Sequence, residues 1–427
     1  MEQYRVLVVD DSAFMRKIIT DLIERDPQFT VIGTAVNGIE AVTSVEQTKP
    51  DVITLDLEMP QMNGLDALQH ILKKHKLPII MLSGISEANT QDTIKALQYG
   101  AFDFIRKPTG VGANMQDIHG VGEMLREKLK IAVLTRRKPT QPKPLSSTVL
   151  LNNKAAANSS KTASNLPKND NIIPNATTNL SSALTNKKDK IDLAKSHLST
   201  PKSKQQAAAE QAKHASKVAQ QPPAATSKQQ EKAGSVTSII AIGTSTGGPR
   251  ALHEVISNLP RTLAAPVVIV QHMPPRFTKS LAQRLDSFSE LEVCEAEHGM
   301  RLENGKAYVA PGGQHMQVTR QQSHYVIALS SEPPRNGHRP SVDVLFESLL
   351  DAKELERHIV LMTGMGSDGA QGMKKLAEQG AASTIAEAEE SCVVYGMPRS
   401  AIELGAASKV LPLTQIAPEL IKLLSTH

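Results

Sequence analysis

Ser245 is the residue in this 427-residue chain that first raises a question of chemistry. It stands in Gly243-Thr244-Ser245-Thr246-Gly247-Gly248, after an apolar run and ahead of an amphipathic one, which places a hydroxyl at a strand-to-helix turn. Such a turn can cradle a phosphate, present a nucleophile or merely change direction. A phosphate cradle calls for a G-K-[ST] lysine, or for G-x-G-x-x-G with an acidic residue after the next strand. Here Pro249 follows Gly248, and the next apolar run ends in Gln271-His272. The spacing G-x-S-x-G fits a nucleophile elbow, in which small neighbours expose the serine and the helix N-terminus favours developing negative charge. A serine hydroxyl also needs a base for its proton and a third group to orient that base. His272 closes "APVVIVQH" and Asp368 follows "HIVLMTGMGS", so parallel strands would bring both to the sheet edge that carries Ser245. His298, His315 and His338 are rival bases, and Asp368 could instead cap the helix beginning near "DGAQGMKK".

A second constellation precedes this one. Asp10-Asp11, Asp56, Ser83 and Lys107 each follow a short apolar run in the first quarter of the chain. Three carboxylates at one edge repel each other unless a hard cation such as Mg²⁺ neutralises them. Lys107 adds a point charge opposite Asp56, and Ser83 can donate to an anion. A carboxylate in that company is equipped to accept a phosphoryl group.

The elements that must position these groups follow from periodicity. Residues 1–127 alternate runs such as "RVLVVD", "TVIGTAV", "DVITLDL", "PIIMLSG" and "DFIRKP" with helical patterns, which predicts a flavodoxin-like (βα)5 domain with a parallel sheet. Residues 236–427 repeat the alternation with "TSIIAIG", "PVVIVQH", "KAYVAPG", "YVIALS" and "HIVLMTGMG", which predicts a doubly wound, mainly parallel α/β domain. Between them, residues 128–235 lack the means to build a core: the stretch is rich in Ala, Ser, Asn, Gln, Lys and Pro and reads as a disordered linker. From 136 to 234 there are 17 Lys and Arg against 5 Asp and Glu, an excess of 12. The whole chain carries +5, so the rest carries −7, and the basic balance belongs to the linker. A nucleic-acid-binding fold is not indicated. Nothing reads as a membrane span, and Cys294 and Cys392, far apart, give no zinc pattern and suit a reducing cytoplasm.

"VLVVDDS", "DVITLDLEMPQMNGLDAL", "IIMLSG" and "FDFIRKP" resemble the receiver domain of bacterial response regulators. That resemblance implies phosphorylation of Asp56, Mg²⁺ on Asp10, Asp11 and Asp56, phosphate contacts from Ser83 and Lys107, and a switch aromatic at Phe104. "AIGTSTGGPRAL", "IVQHMPPRFTKSLAQRL", "YVAPGGQHM", "RPSVDVLFES", "LMTGMGSDGAQGM" and "AEESCVVYGMPRSA" resemble the catalytic domain of the CheB family of chemotaxis protein-glutamate methylesterases. That resemblance implies Ser245 as nucleophile, His272 as base and acid, Asp368 as orienting carboxylate and the Met365 amide in an oxyanion site. It implies a cytoplasmic, phosphorylation-regulated serine hydrolase acting on glutamate methyl esters, and on certain glutamines, of methyl-accepting chemotaxis receptors. A chemotaxis histidine kinase would supply the phosphoryl group, and the ester chemistry would need no cofactor. Beside that family's usual short linker, the one here is long. Two other classes are weighed against this reading: a non-enzymatic phospho-switch whose second domain binds a partner, and a DNA-binding regulator, for which no helix-turn-helix is present.

Overall fold

Strands buried on both faces need nearly continuous apolar sequence, and both halves of the chain supply it. The computed structural model describes residues 3–107, 115–137 and 236–425, so the expected linker lies outside the described residues over 138–235. Residues 128–137, also expected to be linker, instead continue the helix that begins at Met115, because Leu129, Ala132 and Val133 recur at helical spacing and are buried. The first domain runs β1 (Tyr4–Val9), α1 (Ala13–Glu24), β2 (Phe29–Ala35), α2 (Gly38–Thr48), β3 (Val52–Asp56) and α3 (Gly64–Lys74). It continues through β4 (Ile79–Ser83), α4 (Glu87–Tyr99), β5 (Asp103–Arg106) and α5 (Met115–Arg137). All pairings are parallel, in the order β2-β1-β3-β4-β5. The order reverses between β1 and β3, so a crevice opens beyond their carboxyl ends, where Asp10, Asp11 and Asp56 stand. Side chains that cap helix starts set the boundaries: Ser12, Asn37, Asn63 and Ser86 each accept a backbone N–H of the following turn.

The second domain begins β6 (Ser238–Thr244), α6 (Gly248–Ile256), β7 (Val267–Gln271), α7 (Phe277–Asp286), β8 (Glu292–Glu295) and β9 (Lys306–Val309). There follow β10 (His315–Gln321), β11 (His324–Ser330), α8 (Val342–Ser348), β12 (Glu356–Leu361) and α9 (Ala370–Glu378). The chain ends with β13 (Ser383–Glu387), α10 (Met397–Glu403), β14 (Lys409–Leu411) and α11 (Leu413–Leu424). Seven strands form one sheet, β14-β13-β12-β6-β7-β9-β8, with every pairing parallel. The run "YVIALS", which alternation alone assigns to that sheet, is instead β11 of a separate antiparallel hairpin with β10. Only two residues, Gln322 and Ser323, separate these strands, too few for the crossover a parallel pair requires.

One hydrophobic cluster joins the two domains: Leu97 and Phe104 belong to the same apolar core as Leu252, Phe277 and Leu281. Around it α4 meets α7, where the Thr90 and Ser280 hydroxyls lie 2.7 Å apart and Arg284 Nε donates to Gln98 Oε1 at 2.8 Å. Leu125, Leu129 and Val133 of α5 pack with Val394 of the second domain, and Met365 borders the same cluster.

Candidate active site

In the second sheet the strand order turns at β6, which lies between β12 and β7. Ligands of open α/β sheets bind beyond the carboxyl ends at such a point. Ser245 leaves β6, His272 leaves β7, and Asp368 lies in the turn between β12 and α9. The Ser245 N–H donates to Thr363 O at 3.0 Å, the His272 N–H to Thr244 O at 3.1 Å, and Gln271 Nε2 to Ser245 O at 2.9 Å. These bonds hold the serine and histidine turns side by side.

The turn adopts its shape through glycine. Gly247 sits at φ +81°, a left-handed conformation that glycine enters without a Cβ penalty, and it caps α6. The strain of the turn thus falls on Gly247 and not on the half-buried serine. Gly364 is required for close approach: a Cβ there would lie 2.2 Å from Met397 Sδ and 2.9 Å from Ser245 Cβ. Met365 follows it, which puts its backbone beside the serine turn.

His272 Nε2 lies 2.8 Å from Asp368 Oδ2, with both side chains buried. An ionised carboxylate only accepts, so Nε2 carries the hydrogen and Nδ1 carries the basic lone pair. That Nδ1 is buried and has no partner. Asp368 is fixed by four further donors. Oδ2 accepts the Val342 N–H at 2.7 Å; Oδ1 accepts the Ser341 hydroxyl at 2.8 Å, the Asp343 N–H at 3.2 Å and Asn336 Nδ2 at 3.3 Å. Burial works against the charge, but His272, Val342 and Ser341 hold the Asp368 carboxyl well below the usual carboxylate range. The alternative of a cap on α9 is not what the fold adopts. Gly369 caps α9 without a side chain, and Asp368 accepts instead from the first N–H groups of α8.

The rival histidines separate by their partners. His298 Nδ1 accepts the Leu329 N–H at 3.1 Å. Buried His315 accepts the Ser341 N–H on Nδ1 at 3.2 Å, and its Nε2 lies 3.1 Å from Pro333 O. His338 lies flat on His272, with ring centroids 3.7 Å apart and planes 10° apart. The reading from spacing did not find Asn336 or Ser341. The signal available was "RNGHRPSVD", an Asn-Gly turn followed by a helix cap, whose proximity to Asp368 no local pattern encodes.

In the first domain, carboxylate oxygens of Asp10, Asp11 and Asp56 lie within 4.8 Å of one another, a donor set of hard oxygens that suits Mg²⁺. Lys107 Nζ is 2.7 Å from both Asp10 Oδ2 and Asp56 Oδ2. Burial pushes the Asp56 carboxyl up to about 6 despite Lys107. Burial also opposes the Lys107 charge, but Asp10 and Asp56 raise its pKa on balance. Ser83 is buried, donates to Gly84 O at 3.0 Å and accepts from Thr93 Oγ1 at 2.6 Å. Phe104 is buried with its ring centroid 4.6 Å from that of Phe277 on α7.

Fold and site together define a receiver domain joined to an α/β domain with a hydrolase-like rim. The family model described as response regulator receiver domain matches residues 6–119, and that described as CheB methylesterase matches residues 240–420. A protein-glutamate methylesterase/protein-glutamine glutaminase of Geobacillus kaustophilus is 40% identical over 428 residues, covering 99% of each chain. One of Bacillus subtilis is 39% identical over 413 residues, covering 97% of this chain and 96% of its own. The crystal structure of the Thermotoga maritima CheB methylesterase catalytic domain is 46% identical, covers 44% of this chain and 98% of its own, and has a TM-score of 0.43. The chain belongs to the protein-glutamate methylesterase/protein-glutamine glutaminase (CheB) family. The Geobacillus relative aligns over 99% of both chains, so a chain of this length is not peculiar to this protein.

Proposed function

We propose that this protein is a phosphorylation-regulated protein-glutamate methylesterase and protein-glutamine glutaminase that works on methyl-accepting chemotaxis receptors. The observation that carries this reading is the buried His272–Asp368 pair beside the Ser245 turn, in a chain whose relatives bear that name. Ser245 Oγ attacks the γ-carbonyl carbon of a glutamyl methyl ester while His272 Nδ1 takes its proton. The carbonyl electron pair becomes an oxyanion, favoured by the α6 N-terminus and the backbone at Met365. On collapse, methanol leaves with the proton from His272. Water, deprotonated by His272, then attacks the acyl-serine, and His272 returns that proton to Ser245 Oγ as it leaves, giving glutamate and the free enzyme. An amide substrate follows the same course and releases ammonia. Asp368 keeps Nε2 protonated and stabilises the imidazolium formed at each step.

Regulation runs through the receiver. Asp10, Asp11 and Asp56 would hold Mg²⁺, which when bound offsets negative charge during phosphoryl transfer. The Asp56 carboxylate accepts the phosphoryl group, Lys107 and Ser83 contact it, and Phe104 links β5 to α7. Support for restricted access comes from contacts next to the nucleophile: Thr246 Oγ1 donates to Asp103 Oδ2 at 2.5 Å, and Lys128 of α5 pairs with the same carboxylate. Acyl phosphate at Asp56 shifts the population toward an arrangement in which these contacts open. The phosphoryl donor is a chemotaxis histidine kinase, and the site of action is the cytoplasm. Among the described residues no helix is long and apolar enough to cross a membrane.

The test is methanol release from methylated receptor cytoplasmic domains, with and without a small phosphodonor. Ser245→Ala should lose activity by orders of magnitude while remaining folded, and Asp56→Asn should keep the basal rate but lose its stimulation. Near wild-type turnover by Ser245→Ala would refute the esterase assignment. Failure of a serine-reactive phosphonate to label Ser245 would instead favour the non-enzymatic phospho-switch.

A further inference from the structure

The loop leading into α8 contains Arg335-Asn336-Gly337-His338, and its two ends exchange both backbone hydrogen bonds. The Arg335 N–H reaches His338 O at 3.0 Å, and the His338 N–H reaches Arg335 O at 2.9 Å. Asn336 and Gly337 between them have φ of +54° and +80°. This is a tight two-residue turn of the kind Asn-Gly favours. It is anchored from both sides. Arg335 forks onto Glu347 of α8, with Nη2 at 2.8 Å from Oε1, and Lys375 of α9 meets the same Oε1 at 2.6 Å. Asn336 Nδ2 spans two buried carboxylates, Asp343 Oδ2 at 3.1 Å and Asp368 Oδ1 at 3.3 Å.

The turn therefore delivers His338 to a fixed place, flat against His272. Two neutral aromatic rings stacked face to face gain little beyond the area they bury, because their like-charged faces meet. The balance changes when one ring becomes a cation, since a positive charge is attracted to the face of a neutral ring. Serine catalysis charges His272 once in each half-reaction. His338 is suited to remain the neutral member, because burial, and then the neighbouring His272, push its pKa down to about 4.

We propose that His338 is a positioning residue of the esterase, a neutral aromatic plate that fixes the plane of the His272 ring and stabilises the imidazolium formed as Ser245 attacks. The proposal rests on the reading of Ser245, His272 and Asp368 as the reacting group. It assigns His338 no proton transfer and no contact with the receptor.

The experiment uses the full chain with phosphodonor and compares His338→Ala, His338→Leu and His338→Phe, with Ser245→Ala and His272→Ala as references. Methanol release from methylated receptor domains gives kcat and KM, and the rate of Ser245 labelling by a small phosphonate reports the nucleophile without any receptor. The expected result is a kcat about 10-fold to 30-fold lower in His338→Ala and His338→Leu. KM should stay within about two-fold, labelling should slow in proportion, and His338→Phe should recover most of the loss. A rise in KM alone, or normal labelling beside slow methanol release, would make His338 a receptor contact and overturn the proposal. So would a His338→Phe variant as slow as His338→Leu, because an aromatic face would then not suffice. Should His338→Ala fail to fold, the Leu–Phe comparison still decides. Activity retained by His272→Ala would sink the underlying reading instead, an outcome distinct from wild-type behaviour of the His338 variants alone.

Discussion

Replacing Asp368 with Asn removes one charge and changes little volume, and the geometry forecasts which way the amide turns. Five donors converge on the two carboxylate oxygens. Placed at Oδ2, the NH₂ would face the Val342 N–H, only 2.7 Å away and fixed in the backbone. Placed at Oδ1, it would face the Asp343 N–H at 3.2 Å, the Asn336 Nδ2–H at 3.3 Å on a side chain that can turn, and the Ser341 hydroxyl, which can rotate to accept. The second orientation is the less costly, so the remaining carbonyl keeps its bond from His272 Nε2 and the tautomer survives. What is lost is the attraction between carboxylate and imidazolium, a charge-assisted bond worth about 2–4 kcal/mol in a dry site. The expected kcat is then about 30-fold to 1,000-fold lower. Asp368→Ala should do worse, by about 10⁴-fold, because it leaves His272, Ser341 and Val342 with unanswered donors. The amide opposite Asp343 should cost about 1–3 kcal/mol of stability. Single-turnover methanol release gives the rates, and thermal unfolding gives the stabilities. Asn and Ala variants of equal activity would refute this account of the orientation, and a within-three-fold rate for Asp368→Asn would refute the role of the charge. The native carboxyl lies below its unfolded value, so its stabilisation is present above the usual carboxylate pKa of about 4. It is lost only as pH falls from there through the folded value.

Further outcomes follow from the same geometry. Thr90→Val leaves the Ser280 hydroxyl unpaired in the α4–α7 contact and should raise the unphosphorylated rate about five-fold to ten-fold with the phosphorylated rate unchanged. An unchanged unphosphorylated rate would mean that this contact does not restrain the enzyme. His338 has a folded pKa of about 4, beneath its unfolded value of about 6.5. Between those limits the unfolded chain binds a proton that the folded chain refuses, so stability should fall by about 1–3 kcal/mol on acidification from pH 6.5 to pH 4. Melting curves of His338→Phe across that range should show a shallower decline, and an identical decline would exclude His338 as its source.

Much of the site was legible because parallel sheets obey a positional rule: reactive groups gather beyond the carboxyl ends of strands. Ser245, His272, Asp10, Asp56 and Lys107 each close an apolar run, and each stands at such an end. The antiparallel hairpin was not legible from "YVIALS", since alternation reports burial but not the partner strand. Nor could spacing choose among His272, His298, His315 and His338. His272 closes a strand and the other three lie near glycines, but only their partners distinguish them as a set: Asp368, Leu329 N–H, Ser341 N–H, and a second imidazole.

The sequence by itself determined the residue types, the strand ends that carry them and the glycines that shape the Ser245 turn, because these depend on contacts within a few residues. Tertiary structure alone decided what surrounds them. Asp368 draws its donors from Asn336, Ser341, Val342 and Asp343, about thirty positions away, and Thr246 meets Asp103 from the other domain. Such pairings arise when separate elements pack against one another, and their energies depend on burial, which hydrophobic periodicity reports only as a face.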